Sequence, residues 1–227
     1  MQLFTTHRGR NDFIKLILKI IIALALIQIL RAAIMGGLWY IIHPGNNIAL
    51  FQIINGLSFL LVGLILLLYF KPSLKELGLN WNDIKFRTRI MYVAGITLLI
   101  FMVITPFTFS WELNILITGL LFGIISPAFE EFLFRGYIWG KIEDFPEMAN
   151  RGVLIWIIVT LLFSIWHLGY IDVFLIHPMK IDNLPLLMAS KLMIGLILGL
   201  IVGFVRLKTQ KTYGSFILHG LWNVMAP

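Results

Sequence analysis

Residues 114–140, "NILITGLLFGIISPAFEEFLFRGYIWG", decide the fold. As a helix the stretch is long enough to cross the roughly 30 Å hydrocarbon core of a bilayer. Yet it holds two adjacent carboxylates, Glu130 and Glu131, and a guanidinium, Arg135. A charge at that depth costs a few kcal/mol or more, so it is a functional candidate by default.

The surrounding chain repeats the apolar pattern. Runs of spanning length lie at 13–42, 48–70, 90–108, 113–140, 152–170 and 186–206, and a shorter run covers 213–226. The chain has 227 residues, 59% hydrophobic and 13% charged, with a mean hydropathy of +0.93. Soluble domains are about half apolar and a quarter charged. The expected fold is therefore all-α, a polytopic membrane helix bundle of about seven transmembrane helices. The basic N-terminus runs into an apolar stretch that continues past Arg31 to Ile42 without a small-residue cleavage site, which predicts an uncleaved first span.

Eighteen Lys and Arg against 11 Asp and Glu give a net charge of +7. The basic residues fall in alternate connections: Arg8, Arg10, Lys15 and Lys19; Lys71, Lys75, Lys85, Arg87 and Arg89; Lys141 and Arg151; Arg206, Lys208 and Lys211. The intervening connections hold one lysine, Lys180. The positive-inside rule then puts the N-terminus in the cytoplasm, and an odd span count puts the C-terminus outside. Residues 71–89 are expected to form a cytoplasmic loop with a short interfacial helix. No basic patch is interleaved with aromatics, so nucleic acid is not an expected partner. The absence of cysteine excludes disulfides, thiolate metal sites and cysteine nucleophiles.

Helix geometry separates the two glutamates. Glu131 and Arg135 stand at i and i+4 with the acid on the N-terminal side, the favoured order for a helical ion pair. Glu130 points about 100° away and has no local partner. One reading leaves Glu130 for chemistry; the other makes both acids counter-charges that hold Arg135. The histidines tip this balance. His7, His43 and His177 read as solvated, whereas His167 and His219 fall inside spans. Phe163 lies one turn before His167, and Asn223 one turn after His219. At 1.5 Å per residue, Glu130, His167, His219 and Asn223 lie about 16, 24, 12 and 18 Å from the nearest basic residue on the cytoplasmic side, a narrow layer. Pro127 is expected to disturb the helix just before Glu130. Gly195, Gly199 and Gly203, four apart, predict a close helix contact.

These residues resemble the CAAX prenyl-protease and bacteriocin-processing (CPBP, ABI) family of intramembrane proteases. The matching motifs are EExxxR (Glu130 to Arg135), FxxxH (Phe163 to His167) and HxxxN (His219 to Asn223), in family order on separate spans. The resemblance covers roughly 119–224. It suggests two parts: 1–89, an N-terminal two-helix membrane segment plus cytoplasmic loop, and 90–227, a catalytic helix bundle resembling the family core. Members with eight helices continue further past the HxxxN motif than this chain, which stops at Pro227.

The resemblance implies peptide-bond hydrolysis within the membrane. Glu130 would be general base for a water also held by His167, with His219 and Asn223 donating to the oxyanion. Glu131, Arg135 and Phe163 would support them. A cofactor-free reaction is favoured. The alternative is zinc on Glu130, His167 and His219, against which stand the missing HExxH and the lack of further acids to orient the histidines. Ser164 and Ser215 lack a nucleophile motif, and no aspartate falls inside a predicted span. The expected partners are a peptide or membrane-protein substrate and the lipid bilayer, in a bacterial plasma membrane. The competing functions are a non-catalytic immunity factor or scaffold and, more weakly, a transporter.

Overall fold

The structure is a computed structural model that describes residues 7–179 and 182–225. Among these, seven helices succeed one another: α1 (His7–Ile42), α2 (Ile48–Phe70), α3 (Phe86–Ser110), α4 (Leu113–Glu143), α5 (Gly152–Leu175), α6 (Leu184–Thr209) and α7 (Tyr213–Met225). The fold is all-helical, and α1 to α6 are each long and apolar enough to cross a membrane. α7, at 13 residues, reaches about 20 Å. Residue 226, the end of the last predicted run, and Lys180 lie outside the described residues.

Local chemistry sets the helix starts. Asn47 and Asn183 cap α2 and α6, each side-chain oxygen accepting from a backbone N–H three residues on, at 3.0 Å. The expected interfacial helix in 71–89 is absent. Instead Ser73 and Glu76 close a single turn in a reciprocal cap, and the chain enters α3 only at Phe86. The Ser73 N–H and hydroxyl hold the Glu76 carboxyl below the ordinary glutamate range. Gly136 is why this turn seats so closely: a Cβ there would lie 2.8 Å from the Leu77 carbonyl. Gly78 takes a left-handed φ of +66° and passes its carbonyl to Thr212 N–H at 3.1 Å. Lys211 donates to Asn80 at 2.6 Å and Lys141 meets Glu76 at 3.5 Å. The 71–85 connection thus gathers the basic ends of α4 and α7 at one end of the bundle.

α5 and α6 form the most extensive helix pairing. The three glycines of α6 face α5 and its neighbours as their spacing predicts. Gly195 abuts His167, Gly199 abuts Thr160, Phe163 and Arg135, and Gly203 abuts Trp156. Each spanning helix carries exposed large apolar side chains on its outward face, as a lipid-facing surface requires.

Two predicted features need correction. The fifth span does not end at 170: a tight turn over His167–Tyr170 leads into another helical turn, Ile171–Leu175. Asp172 is therefore inside the helix, paired with Arg31 at 2.5 Å, and Glu130 and Glu131 are not the only acids within a span. His177, expected to be solvated, is half-buried, with its ring 4.8 Å from Phe51.

Candidate active site

α4 is not a uniform α-helix. Its turns widen to π geometry over Leu121–Ile125 and again over Phe132–Ile138, on either side of the two glutamates. Pro127 supplies the physical reason for the first. In the wide turn the Ser126 N–H bonds to Leu121 O, five residues back. Phe122 O is thereby skipped, and its next backbone donor would be Pro127, which has no N–H. Asn223 of α7 fills the gap, donating from Nδ2 to Phe122 O at 3.0 Å. The second wide turn repeats the device. Trp139 N–H reaches Phe134 O and Gly136 O, and the skipped Arg135 carbonyl accepts from Arg206 Nε at 2.8 Å. Such wide turns are frequent at functional sites.

Between them lies a buried charge cluster. Arg135 Nη1 donates to Glu131 Oε1 at 3.1 Å, with both side chains fully enclosed. Arg135 Nη2 donates to Gly199 O at 3.3 Å, and the guanidinium stacks on Phe163 at 4.0 Å. The expected pair therefore forms, with Phe163 as its floor. Glu131 Oε1 also receives His219 Nδ1 at 2.9 Å. A carboxylate can only accept, so Nδ1 carries the proton and Nε2 is the working edge of this imidazole. The same argument applies to His167. Its Nδ1 lies 2.8 Å from the Phe163 carbonyl, which again leaves Nε2.

Glu130 is buried but not lone, contrary to the expectation from the sequence. Its Oε1 accepts from Trp166 Nε1 at 3.0 Å and from the Tyr170 hydroxyl. Its Oε2 faces His219 Nε2 at 3.6 Å, too long for a direct hydrogen bond. Glu130, Glu131, Arg135, Phe163 and His219 thus share one cluster. His167 lies against it, its ring 4.7 Å from Phe163 and 5.4 Å from Tyr170, without a direct contact to Glu130. Asn223 contacts the Phe122 backbone instead of either acid. The hydroxyls of Ser164 and Ser215 are both spent on backbone carbonyls, at 2.7 and 2.8 Å.

Five partners escaped the sequence reading: Trp166, Tyr170, Asp172, Gln28 and Arg31. Two had a visible signal. Gln28 and Arg31 are polar residues one turn apart inside the first apolar run, which alone marks them as candidates. Trp166 and Tyr170 stand four apart astride His167, but nothing local points them at Glu130.

Among the described residues no three His, Cys, Asp or Glu side chains converge as a metal would need. Glu130 Oε1 is already engaged by two donors.

Comparisons with curated proteins and with solved structures give no match. The model of the type II CAAX prenyl endopeptidase Rce1-like family matches residues 110–225, a region running from the end of α3 through α7 and enclosing every charged residue of the cluster. With just over half of its length matched, and with apolar helices that make it an integral membrane protein, this chain belongs to the Rce1-like family of CAAX-type endopeptidases.

Proposed function

We propose that the protein is an intramembrane endopeptidase that hydrolyses a peptide bond with water activated by Glu130. The observation that carries this reading is the pairing of Glu130 Oε2 with His219 Nε2 at 3.6 Å. Both groups have their other polar atom tied down, and the gap lets both reach one reacting centre. The water oxygen attacks the carbonyl carbon while Glu130 Oε2 takes a proton from it. The resulting oxyanion lies beside His219, whose Nδ1–H stays on Glu131 and whose Nε2 edge faces the reacting centre. Collapse of the tetrahedral intermediate breaks the C–N bond, and the proton held by Glu130 passes to the leaving nitrogen. His167 offers its Nε2 lone pair to the same water. Asn223 holds α4 through Phe122 and keeps a second amide hydrogen for the oxyanion. Glu131 and Arg135 orient His219 and fix the helix that carries the base.

No metal takes part in this scheme. The substrate is a peptide or membrane protein, presented within the bilayer of a bacterial plasma membrane. The basic end of the bundle faces the cytoplasm, so the N-terminus is cytoplasmic and the end of α7 lies towards the outside.

A second reading, a non-catalytic immunity factor or scaffold, draws on the saturation of Glu130 Oε1 and on the bond from Asn223 to Phe122. The two separate in one experiment. Purified protein and its Glu130→Gln variant, which keeps the shape and removes the base, are incubated with a membrane peptide library. Fragments are read by mass spectrometry. Fragments from the wild type alone support the protease; identical patterns from two folded proteins leave the scaffold.

A further inference from the structure

Glu130 presents two oxygens in unlike surroundings. Oε1 accepts from both Trp166 Nε1 and Tyr170 Oη, and the Trp166 N–H is shared with the Tyr170 hydroxyl oxygen, to which it also donates at 2.6 Å. Oε2 faces His219 Nε2 at 3.6 Å. Neither Trp166 nor Tyr170 is part of the three motifs. They flank His167 on the tight turn His167–Tyr170.

That turn is gripped from α1, which lies outside the matched region. Gln28 Nε2 donates to Trp166 O at 3.0 Å. Arg31 Nη2 donates to Gly169 O at 3.2 Å and to Asp172 Oδ1 at 2.5 Å, and its Nε donates to Gln28 Oε1 at 2.8 Å. The guanidinium sits 5.1 Å from the Tyr170 ring. Gly169 permits this approach, since a Cβ there would meet the Gln28 amide at 2.5 Å. Arg31 is completely buried. A buried cation is costly to arrange, and here two of its acceptors, Gly169 O and Asp172 Oδ1, belong to the turn that carries Tyr170 and the helical turn after it.

We propose that Trp166 and Tyr170 are positioning residues that clamp Oε1 of Glu130, leaving Oε2 as the oxygen that accepts the proton from water, and that Gln28 and Arg31 of α1 hold the clamp in place. This rests on the reading of Glu130 as general base. The physical reason is that a glutamate side chain has three rotatable bonds. Two donors on one oxygen fill both of its lone pairs and fix the carboxylate plane. The other oxygen is then held towards His219 in one orientation, which is what an oriented base requires. In the reaction the water O–H bond breaks as the O–C bond forms, and the proton arrives on Oε2. Oε1 keeps both donors throughout.

The test uses the full chain in proteoliposomes. Infrared spectra of wild type minus Glu130→Gln isolate the carboxyl bands of Glu130. The same subtraction is made in the Tyr170→Phe and Trp166→Phe backgrounds, so that either variant serves if the other fails to insert. The Glu130 band is expected to move in both, and to move less in Gln28→Ala. On a peptide that the wild type cleaves in the library assay, kcat should fall about 100-fold, the scale of a roughly 1 Å misplacement, with KM unchanged. A band unmoved in both variants overturns the clamp, whatever the activity. A moved band with unchanged kcat, or with the loss confined to KM, overturns its positioning role. If the band moves but wild type and Glu130→Gln release the same fragments, the base reading fails and the role of Oε2 falls with it, while the contact stands.

Discussion

Asn223 on α7 completes the hydrogen bonding of α4: its Nδ2 lies 3.0 Å from the Phe122 carbonyl, which the wide turn skips and Pro127 cannot serve. The HxxxN pair thus has two different attachments one turn apart. His219 holds an acid, and Asn223 holds the backbone that presents that acid.

Asn223→Leu should cost about 1–3 kcal/mol, the penalty of a part-buried carbonyl left without a donor. Pro127→Ala returns a backbone N–H five residues after Phe122 and should recover part of that loss. A double-mutant cycle on purified protein, unfolded by denaturant, measures the coupling. Strictly additive effects would show that Phe122 does not link the two residues.

Arg135→Ala leaves the Glu131 carboxylate enclosed with only His219 for company. Removing one partner of such a pair typically costs about 3–5 kcal/mol, so the folded yield should drop sharply. Arg135→Lys should not restore it fully, because a point charge cannot span Glu131, Gly199 O and the face of Phe163 as a planar fork does. Membrane abundance of the three proteins decides the matter; a normally abundant alanine variant refutes the pairing.

Gly195→Ala places a methyl 2.8 Å from His167 Nδ1 and should displace the ring from its bond to Phe163 O. Activity should fall by about 100-fold, the scale of a 1 Å misplacement, while the protein still folds. Gly36→Ala, with nothing within 4 Å of the new methyl, is the control and should change stability by no more than about 0.5 kcal/mol. Equal activity in the two variants would mean that the position of His167 does not matter.

Zinc chelators should leave peptide cleavage unchanged if Glu130 works without a metal, as proposed; among the described residues no three His, Cys, Asp or Glu side chains converge as a metal would need. Activity that disappears with a chelator and returns with added zinc would replace the proposed mechanism by the metal one.

Much of this protein is written in local spacing. Apolar run lengths placed the spanning helices, and the four-residue steps paired Glu131 with Arg135 and set the glycines of α6 on one face. Those relations hold within one helix, where each residue rises 1.5 Å and turns 100° regardless of what packs outside. The fifth helix, by contrast, runs on through Asp172, beyond the apolar run, because that carboxylate is stabilised there by Arg31, 141 positions earlier in the chain. The partners of Glu130 were invisible for a related reason. A wide turn inserts a residue and re-aims the rest of its helix, and the crossing of separate helices sets which side chains meet. Periodicity along the sequence carries neither quantity. The sequence alone determined where the spanning helices lie and which of their residues share a helix face. Only the tertiary structure decided that Trp166 and Tyr170 hold Glu130, that α1 holds them, and that Asn223 repairs the backbone Pro127 breaks, because these contacts depend on the tilt and register between helices.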